Sequence, residues 1–193
     1  MLTEADFQRA AAHLNCPVAH IKAVCEVEAP QGGFDTTGQP RILFEAHRFS
    51  KLTGGVYDKQ YPNISSRLWN RALYATGPNA DARNAGEHKR LQLAASLNRA
   101  SALMSASWGK FQILGENFAA CGFDNLQDFI NAMYSGEGAQ LDAFVEFVGG
   151  DNRKREALRT GDWKTLARLY NGPAYVENQY DLKLAAAAKK FGG

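Results

Sequence analysis

The sequence is poor in cysteine, net charge and long apolar runs, and each shortage excludes a class of protein. Three cysteines, Cys16, Cys25 and Cys121, cannot all pair, and none has a metal-binding spacing. We therefore predict buried thiols rather than a disulfide framework. No apolar run approaches the ~20 residues that a membrane helix needs. The net charge of +2 is too small to indicate a nucleic-acid partner.

The common signatures of metal and cofactor sites are also missing. The sequence has no GxSxG, Walker or GxGxxG motif, and its histidines have no HExxH or similar spacing. These histidines are His13, His20, His47 and His88. Cys25 is a poor candidate for a nucleophile because it lies within a predicted helix. We expect neither a metal site nor a cofactor.

Length and composition are those of an ordinary globular protein. With 193 residues and 45% hydrophobic residues, the chain is predicted to form one domain over 1–193, without a separate wall-binding module. The one linker-like stretch, 77–83, is too short to separate domains. "MLTEADFQRA" lacks the basic and apolar regions of a signal peptide, so we expect synthesis in the cytoplasm.

Helical signals dominate the chain. Thr3 is a good N-cap with Asp6 three residues later, and Pro17 suits the start of a second helix. Pro30 is expected to end that helix. The turn-rich residues 30–40 leave room for one small β-hairpin. Further helices are predicted at 41–52, 66–76, 84–104, 107–120, 125–132, 135–149, 153–159, 162–171 and 177–191, so the fold class is mainly α.

Helical spacing separates the two glutamates of "AVCEVEAPQGGF". Residues two apart on a helix differ by about 200°, so Glu26 and Glu28 face different ways. Glu28 continues the apolar stripe of Ile21 and Cys25, whereas Glu26 is predicted to be solvated. Burial and the carboxyl end of the helix raise the pKa of an acid, as a general acid requires. The alternative is that Glu28 merely caps the helix or pairs with an arginine such as Arg41.

"ASWGKFQIL" is the second unusual stretch. Ser107 is predicted to cap a helix in which Gly109 costs roughly 1 kcal/mol, so a close approach by another segment or a ligand would explain the glycine. Gln112 is a candidate amide for binding a polar substrate. The alternative is a packed helix with a solvated glutamine.

"LARLYNGPAYVENQY" combines a sharp turn with tyrosines. Tyr170, Tyr175 and Tyr180 place amphipathic rings near Asn171, a combination typical of sugar-binding sites. An aromatic core beside a turn is the alternative.

In "RILFEAHRF", Glu45 is a further acid on a predicted apolar helix face, and His47 next to it is weak support for a metal.

"VEAPQGGF" followed by "QPRILFEAHRF" closely resembles the N-acetylmuramidase domain of bacteriophage endolysins and related bacterial proteins. That domain typically reads as a glutamate, a glycine-rich turn and an LFE-x-H-x-F stretch, and the resemblance covers about residues 3–190. More distantly, Glu28, "ASWGKFQI" and "LYNGP" look like the ordered signatures of the lysozyme and lytic-transglycosylase superfamily. The resemblance implies a lysozyme-like α(+β) fold.

The resemblance also implies roles for individual residues. Glu28 corresponds to the catalytic acid, and Glu45 matches the LFE glutamate that supports the site or acts on water. The sequence departs from the family where an acidic residue is expected just before the glycine of the turn, because that residue is Thr37; Asp35 is the candidate substitute. The cleft residues implied in the same way are Ser107, Gln112, Tyr170 and Asn171.

The implied activity is hydrolysis of the β-1,4 bond between N-acetylmuramic acid and N-acetylglucosamine in peptidoglycan. A lytic transglycosylase that forms 1,6-anhydro ends is the first alternative, and a wall-binding relative without chemistry is the second. A phage setting implies a holin-like membrane pore as partner, through which the enzyme reaches the cell wall from the host cytoplasm. We expect a monomer.

Overall fold

The computed structural model describes residues 1–28 and 32–193, except for the side chains of Pro173 and Ala174. The predicted role of Pro30 in ending a helix lies outside these residues. Helices account for most of the described chain, and a small antiparallel sheet accompanies them, so the predicted mainly α class with a minor β part is confirmed. No helix among the described residues is both long and apolar enough to cross a membrane.

Ten α-helices and three strands are assigned within the described ranges. The helices are α1 Glu4–Leu14, α2 Val18–Glu28, α3 Ala46–Leu52, α4 Ala80–Leu97, α5 Arg99–Met104, α6 Leu126–Ser135, α7 Glu137–Gly149, α8 Asn152–Thr160, α9 Trp163–Asn171 and α10 Tyr180–Lys190. The strands are β1 Ile42–Phe44, β2 Ala106–Trp108 and β3 Ile113–Leu114. Short 3₁₀ turns lie at Arg71–Leu73, Gly115–Cys121 and Pro173–Val176.

The first two helices follow the sequence signals. Thr3 and Asp6 form a complete capping box at the start of α1, and α2 begins directly after Pro17. Both helices bury their predicted stripes, with Leu14 and Ile21 fully inaccessible to solvent. Helix α1 packs on α7, and α2 packs on α10, so the helix that ends at Glu28 has neighbours from the carboxyl-terminal half of the chain.

The helix predicted at 66–76 is wrong, and the helices predicted at 41–52 and 107–120 are wrong over their first parts. Residues 42–44 and 106–108 are instead paired strands, with Ile42 opposite Trp108 and Phe44 opposite Ala106. Strand β3 returns against β2, so Ser107 lies in a strand and caps no helix. Residues 66–76 contain only one 3₁₀ turn. Short apolar runs fit a strand as well as a helix, and tertiary pairing decides between them.

Side chains of helix α4 explain why β1 is stable as an edge strand. Asn84 Oδ1 accepts the Ile42 amide at 2.9 Å, and Glu87 Oε2 accepts the Phe44 amide at 3.0 Å. Arg90 donates to the Phe44 carbonyl at 2.9 Å. The three side chains are spaced by three residues, so one face of α4 satisfies the backbone groups that an edge strand leaves unpaired.

The predicted turn after α2 is partly observed. Phe34 and Pro40 form an isolated antiparallel bridge, and the Arg41 amide donates to the Gly33 carbonyl at 2.9 Å. This loop leads directly into β1. The main sheet therefore begins just after the hairpin region that the sequence indicated. Its first strand, β1, pairs with β2 from the middle of the chain.

The cysteines are free, as predicted. Cys25 and Cys121 are buried, whereas Cys16 is half-buried. Burial raises the pKa of Cys25 to about 12, which makes it unsuitable as a nucleophile at neutral pH.

Candidate active site

Two cavities that share lining residues adjoin each other, and together they are called the cleft. The first, the Glu28 cavity, has a volume of about 560 Å³, and the second, the tyrosine cavity, has about 550 Å³. Leu43 and Gln112 line both, which makes the two cavities contiguous. The tyrosine cavity is also lined by Glu45, His47, Trp69, Ser107, Tyr170, Asn171, Tyr175 and Tyr180.

Glu28 is the last residue of α2 and is half-buried at the edge of its cavity. Burial raises the pKa of Glu28 to about 7, and a hydrogen bond from Asn171 offsets part of that rise. The Asn171 Nδ2 group donates to Glu28 Oε1 at 3.4 Å. Glu28 is thus an acid that stays largely protonated up to neutral pH while it faces an open cleft.

Glu26 has the opposite surroundings. Its Oε2 atom accepts a hydrogen bond from Lys190 Nζ at 2.7 Å, and both side chains are exposed to solvent. The helical spacing therefore separates the two glutamates as predicted, with Glu26 on the outer face.

The end of helix α9 positions Asn171. Gly172, with φ of +76°, leaves the helical conformation there, so Asn171 is the last helical residue and points toward Glu28. The preceding residue, Tyr170, donates from Oη to the Phe111 carbonyl at 2.7 Å, and its ring packs on Phe144 and Phe147. The Tyr170 hydroxyl therefore ties α9 to the β2–β3 hairpin, although its ring also lines the tyrosine cavity.

Helix α7 holds the two glycine loops that flank Glu28. Gln140 Oε1 accepts the Lys110 amide at 2.7 Å, and Glu137 Oε1 accepts the Gly33 amide at 2.7 Å. A Cβ atom at Gly33 or Gly109 would collide with the Gln140 side chain. The close approach predicted for Gly109 is therefore real, and its partner is a buried amide of the protein itself.

Gln112 lies between the two cavities in a left-handed conformation, with φ of +48°. Its Nε2 group donates to the Gly109 carbonyl at 2.9 Å and to the Arg41 carbonyl at 3.3 Å. The side chain thus braces the hairpin against the start of β1. Ser107, on β2, lines the tyrosine cavity.

Glu45 lies in the tyrosine cavity rather than on a helix face. It is the residue before α3, so the predicted apolar helix face through Glu45 does not exist. Tyr74 Oη donates to Glu45 Oε2 at 2.8 Å, and His47 Nδ1 lies 3.3 Å from the same oxygen. A metal site here gains no support, because no group of three His, Cys, Asp or Glu side chains converges anywhere in residues 1–28 and 32–193.

Asp35 has a structural setting that differs from the one the sequence suggested. Its Oδ1 atom accepts from the Thr37 amide and hydroxyl and from the Gln39 amide, and its Oδ2 atom accepts from Asn84. Burial alone would raise its pKa, but these hydrogen bonds lower the pKa of Asp35 to about 2. Asp35 lines neither cavity, so we leave it out of the proposed catalytic groups.

Glu87 is the second carboxylate of the Glu28 cavity, and sequence reasoning missed it. It is 4% exposed, and it accepts the Phe44 and Ala75 amides and the Arg90 guanidinium. Glu87 is therefore committed to holding β1. A signal for it exists in the spacing of Asn84, Glu87 and Arg90, three polar residues on the inner face of one helix.

Gln140, Trp69 and Tyr74 were also missed. Gln140 had a signal, since it is an amide four residues before Phe144 on an apolar stripe. Trp69 and Tyr74 lie in an irregular stretch where no periodicity predicts which side chains face the cleft.

An acid with a raised pKa in a long cleft of aromatic and amide side chains is an arrangement typical of glycoside hydrolases. The comparison with known proteins agrees: residues 17–192 match the N-acetylmuramidase family, and the chain belongs to that family. It is a glycoside hydrolase that acts on peptidoglycan. The resemblance recognised in the sequence is thereby confirmed.

Among solved structures, the chain is similar to the crystal structure of the Burkholderia AP3 phage endolysin. The two share 38% sequence identity with a TM-score of 0.87, over 99% of this chain and 71% of the endolysin chain. No curated protein is significantly similar to the chain in sequence. The structural match also confirms the lysozyme-like fold.

Proposed function

We propose that the chain is an endolysin-type muramidase that hydrolyses the β-1,4 bond between N-acetylmuramic acid and N-acetylglucosamine, with Glu28 as the general acid. The observation that carries the proposal is the setting of Glu28. A carboxyl group with a pKa of about 7 lines a cavity of about 560 Å³ and lies beside an amide donor.

In the proposed first step, the Glu28 carboxyl proton passes to the glycosidic oxygen of the leaving sugar. The C1–O bond breaks as the ring carbon takes on oxocarbenium character. Asn171 then stabilises the carboxylate that Glu28 becomes, because its Nδ2 group already donates to Oε1. A raised pKa in the ground state and a donor for the product state are the two properties that acid catalysis needs.

Charge in the Glu28 cavity supports an anionic polymer as substrate. Peptidoglycan carries carboxylates on its stem peptides, and on lactyl groups from which the peptide has been removed, and cationic side chains line this cavity. Arg41 is partly neutralised by Asp81, and Lys110 by Glu137. The lining cations are Arg41, Arg71, Arg83 and Lys110.

Hydrolysis needs a water molecule activated by a second polar group, and Glu45 is our candidate. It is the carboxylate of the tyrosine cavity, and Tyr74 fixes its orientation. Tyr74 and His47 both approach Oε2 of Glu45, so Oε1 is the oxygen that we propose accepts the proton from water.

A lytic transglycosylase remains a second candidate because of one observation. Among the described residues that line the Glu28 cavity, the other carboxylate is Glu87. Both of its oxygens accept hydrogen bonds, from the Phe44 and Ala75 amides and from Arg90. A site with one free glutamate suits an enzyme in which Glu28 acts as acid and then as base, while the sugar's own hydroxyl attacks C1.

The central experiment compares Glu28→Gln with Glu26→Gln in purified form on isolated peptidoglycan. Glu28→Gln keeps the shape of the side chain but has no proton to give, so we expect release of soluble fragments to fall by at least about 100-fold. Glu26→Gln, on the same helix and exposed, should retain wild-type activity. Wild-type release by Glu28→Gln would refute Glu28 as the acid. Binding of the wild-type protein to peptidoglycan without release of soluble fragments would instead favour a wall-binding role.

The products distinguish the two chemistries. Mass spectrometry of the released fragments should show reducing N-acetylmuramic acid ends if water attacks. Anhydro ends, one water lighter, would identify the transglycosylase. In ¹⁸O-labelled water, a hydrolase incorporates one label into each new end, whereas a transglycosylase incorporates none.

In a cell, we propose that the enzyme acts as a monomeric catalytic domain over residues 1–193 and lyses a phage host. This follows the similarity to the AP3 phage endolysin. It would be made in the host cytoplasm and reach the wall through a holin-like pore. Expression alone should leave host cells intact, and co-expression with a pore-forming protein should lyse them only when Glu28 is present.

A further inference from the structure

Trp69 is an exposed aromatic side chain whose orientation is nevertheless fixed. The residue is 60% exposed, and it lies in a stretch without regular secondary structure. The indole Nε1–H group donates to Tyr74 Oη at 2.8 Å, and the two rings meet edge to face with centroids 6.3 Å apart. A single exposed apolar side chain is common in globular proteins. This one is also held by a hydrogen bond, which restricts its side-chain rotamers before any ligand binds.

The hydrogen bond from Trp69 continues to the cleft. Tyr74 Oη donates in turn to Glu45 Oε2 at 2.8 Å, so indole, phenol and carboxylate form one chain. Burial and the Glu45 carboxylate raise the pKa of Tyr74, which keeps its hydroxyl protonated and able to donate. The orientation of Trp69 is thereby coupled to a side chain that lines the tyrosine cavity.

The position of Trp69 indicates what its ring contacts. Trp69 lines the tyrosine cavity, and this cavity continues into the Glu28 cavity through Leu43 and Gln112. A glycan strand that binds at Glu28 and is longer than the Glu28 cavity must extend beyond it. The tyrosine cavity, which Trp69 lines, adjoins the Glu28 cavity. A largely exposed indole with its polar edge hydrogen-bonded suits the apolar face of a pyranose ring, whose hydroxyls remain in water.

We propose that Trp69 forms a saccharide-binding subsite at the tyrosine-cavity end of the cleft, in which its indole ring stacks on one sugar of the bound glycan strand. The inference rests on the proposed function, since it takes the glycan as the occupant of the cleft. The chain Trp69–Tyr74–Glu45 holds the ring in place before the sugar arrives, so binding costs less ordering of the side chain.

The kinetic test uses soluble glycan strands from which an amidase has removed the peptides. Trp69→Ala removes the stacking surface and should raise KM about tenfold while kcat changes less than about twofold. Trp69→Phe keeps a ring but loses the hydrogen bond to Tyr74, so an intermediate KM is expected. Leu68→Ala is the matched control, because Leu68 is 78% exposed and lines neither cavity.

A binding test separates this proposal from the proposed function. The other tryptophans, Trp108 and Trp163, are buried or partly buried, so the exposed Trp69 should dominate any change of emission on binding. In the Glu28→Gln variant, the uncleaved strands should shift the emission maximum to shorter wavelength, and Trp69→Phe should abolish the shift.

The outcomes are distinct. Wild-type KM in Trp69→Ala, or no emission shift with Glu28→Gln, overturns the subsite even if the wild-type enzyme releases reducing ends. If the wild-type enzyme cleaves no strands but the Trp69-dependent shift is present, the proposed function fails and the saccharide subsite stands.

Discussion

At the scale of single residues, Glu26 and Glu28 show how position on one helix changes the chemistry of a carboxyl group. Glu26 meets solvent and Lys190, whereas Glu28 meets the core and Asn171. The raised pKa of Glu28 is caused first by burial. The proton that the proposed mechanism uses is therefore retained because the anion is poorly solvated.

The pH dependence of activity follows from this pKa. If protonated Glu28 is the acid, kcat/KM should fall about tenfold per pH unit above pH 7, where the carboxyl group ionises. Asn171→Ala removes a donor that favours the anion, so the pKa should rise and the alkaline limb should move to higher pH. A pH–rate profile of both proteins measures this, and a limb that moves to lower pH would contradict the assignment.

The pH dependence of stability follows from the same residue. The folded-state pKa of Glu28, about 7, exceeds the ordinary glutamate pKa of 4.5, so the folded protein binds the extra proton between those pH values. Its contribution is favourable below about pH 4.5 and is lost as pH rises to 7. Wild-type unfolding free energy should therefore fall by up to about 3 kcal/mol more than that of Glu28→Gln between pH 4.5 and 8.

Melting temperatures at several pH values test this prediction. The advantage of Glu28→Gln over the wild type should appear at pH 8 and shrink at pH 4.5. Glu26→Gln serves as the control, because the exposed pair with Lys190 contributes little. An equal difference at all pH values would mean that the ionisation of Glu28 is not the cause.

At the scale of elements, the cleft depends on loops that helices hold from behind. Gln140 and Glu137 on α7 accept the amides of Lys110 and Gly33, and Asn84 and Glu87 on α4 accept those of β1. These bonds add to the backbone pairing of β1 with β2 and of Arg41 with Gly33 and Gly109. Polar side chains on packed helices therefore help to fix these segments where they flank Glu28.

A substitution at Gly109 tests whether these side-chain contacts stabilise the loops. Gly109 has φ of +68°, and a Cβ atom there would lie 2.5 Å from Gln140 Cδ. Gly109→Ala should destabilise the protein by about 2–4 kcal/mol, since backbone strain and the clash add, and it should lower activity by disturbing the hairpin.

Gly38→Ala is the matched control for Gly109→Ala. Gly38 has φ of +82°, but an added Cβ atom would meet nothing within 4 Å, so only the backbone cost of about 1 kcal/mol is expected. Denaturant unfolding measures both variants. Equal losses would show that contact with Gln140 contributes nothing.

At the scale of the whole molecule, the last helix supports the helix that carries the acid. Helix α10 packs on α2 through Ala187 and Ala188, which form a small buried cluster with Ala23. Alanines on both sides allow the two helices to approach closely. The end of the chain thus contributes to the position of Glu28 through packing alone.

Ala187→Leu should force α10 away from α2. Adding a larger side chain to this contact is expected to cost about 1–3 kcal/mol and to reduce lytic activity. Ala186→Leu, on the exposed side of the same helix, should leave both unchanged. Thermal unfolding and peptidoglycan lysis provide the measurements, and equal effects of the two variants would contradict this role for α10.

The helical part of the fold could be predicted from sequence because its signals are local. The capping box at Thr3, the apolar stripe through Cys25 and the turn at Gly172 each reflect hydrogen bonds or packing within a few residues. The same local spacing separated Glu28 from Glu26. Family resemblance then supplied the cleft residues, several of which the structure brings together around Glu28.

Tertiary structure decided the β-sheet and the surroundings of Asp35 and Glu45, the two candidates for a second catalytic carboxylate. Ile42–Phe44 becomes a strand because Ala106–Trp108, more than sixty residues away, pairs with one edge and α4 side chains satisfy the other. Asp35 is withdrawn from the cleft by Asn84, and Glu45 is joined to Trp69 through Tyr74. The sequence by itself determined most of the helices and the placement of Glu28 on the apolar face of α2, since these depend on neighbours along the chain, whereas long-range hydrogen bonds decided the rest.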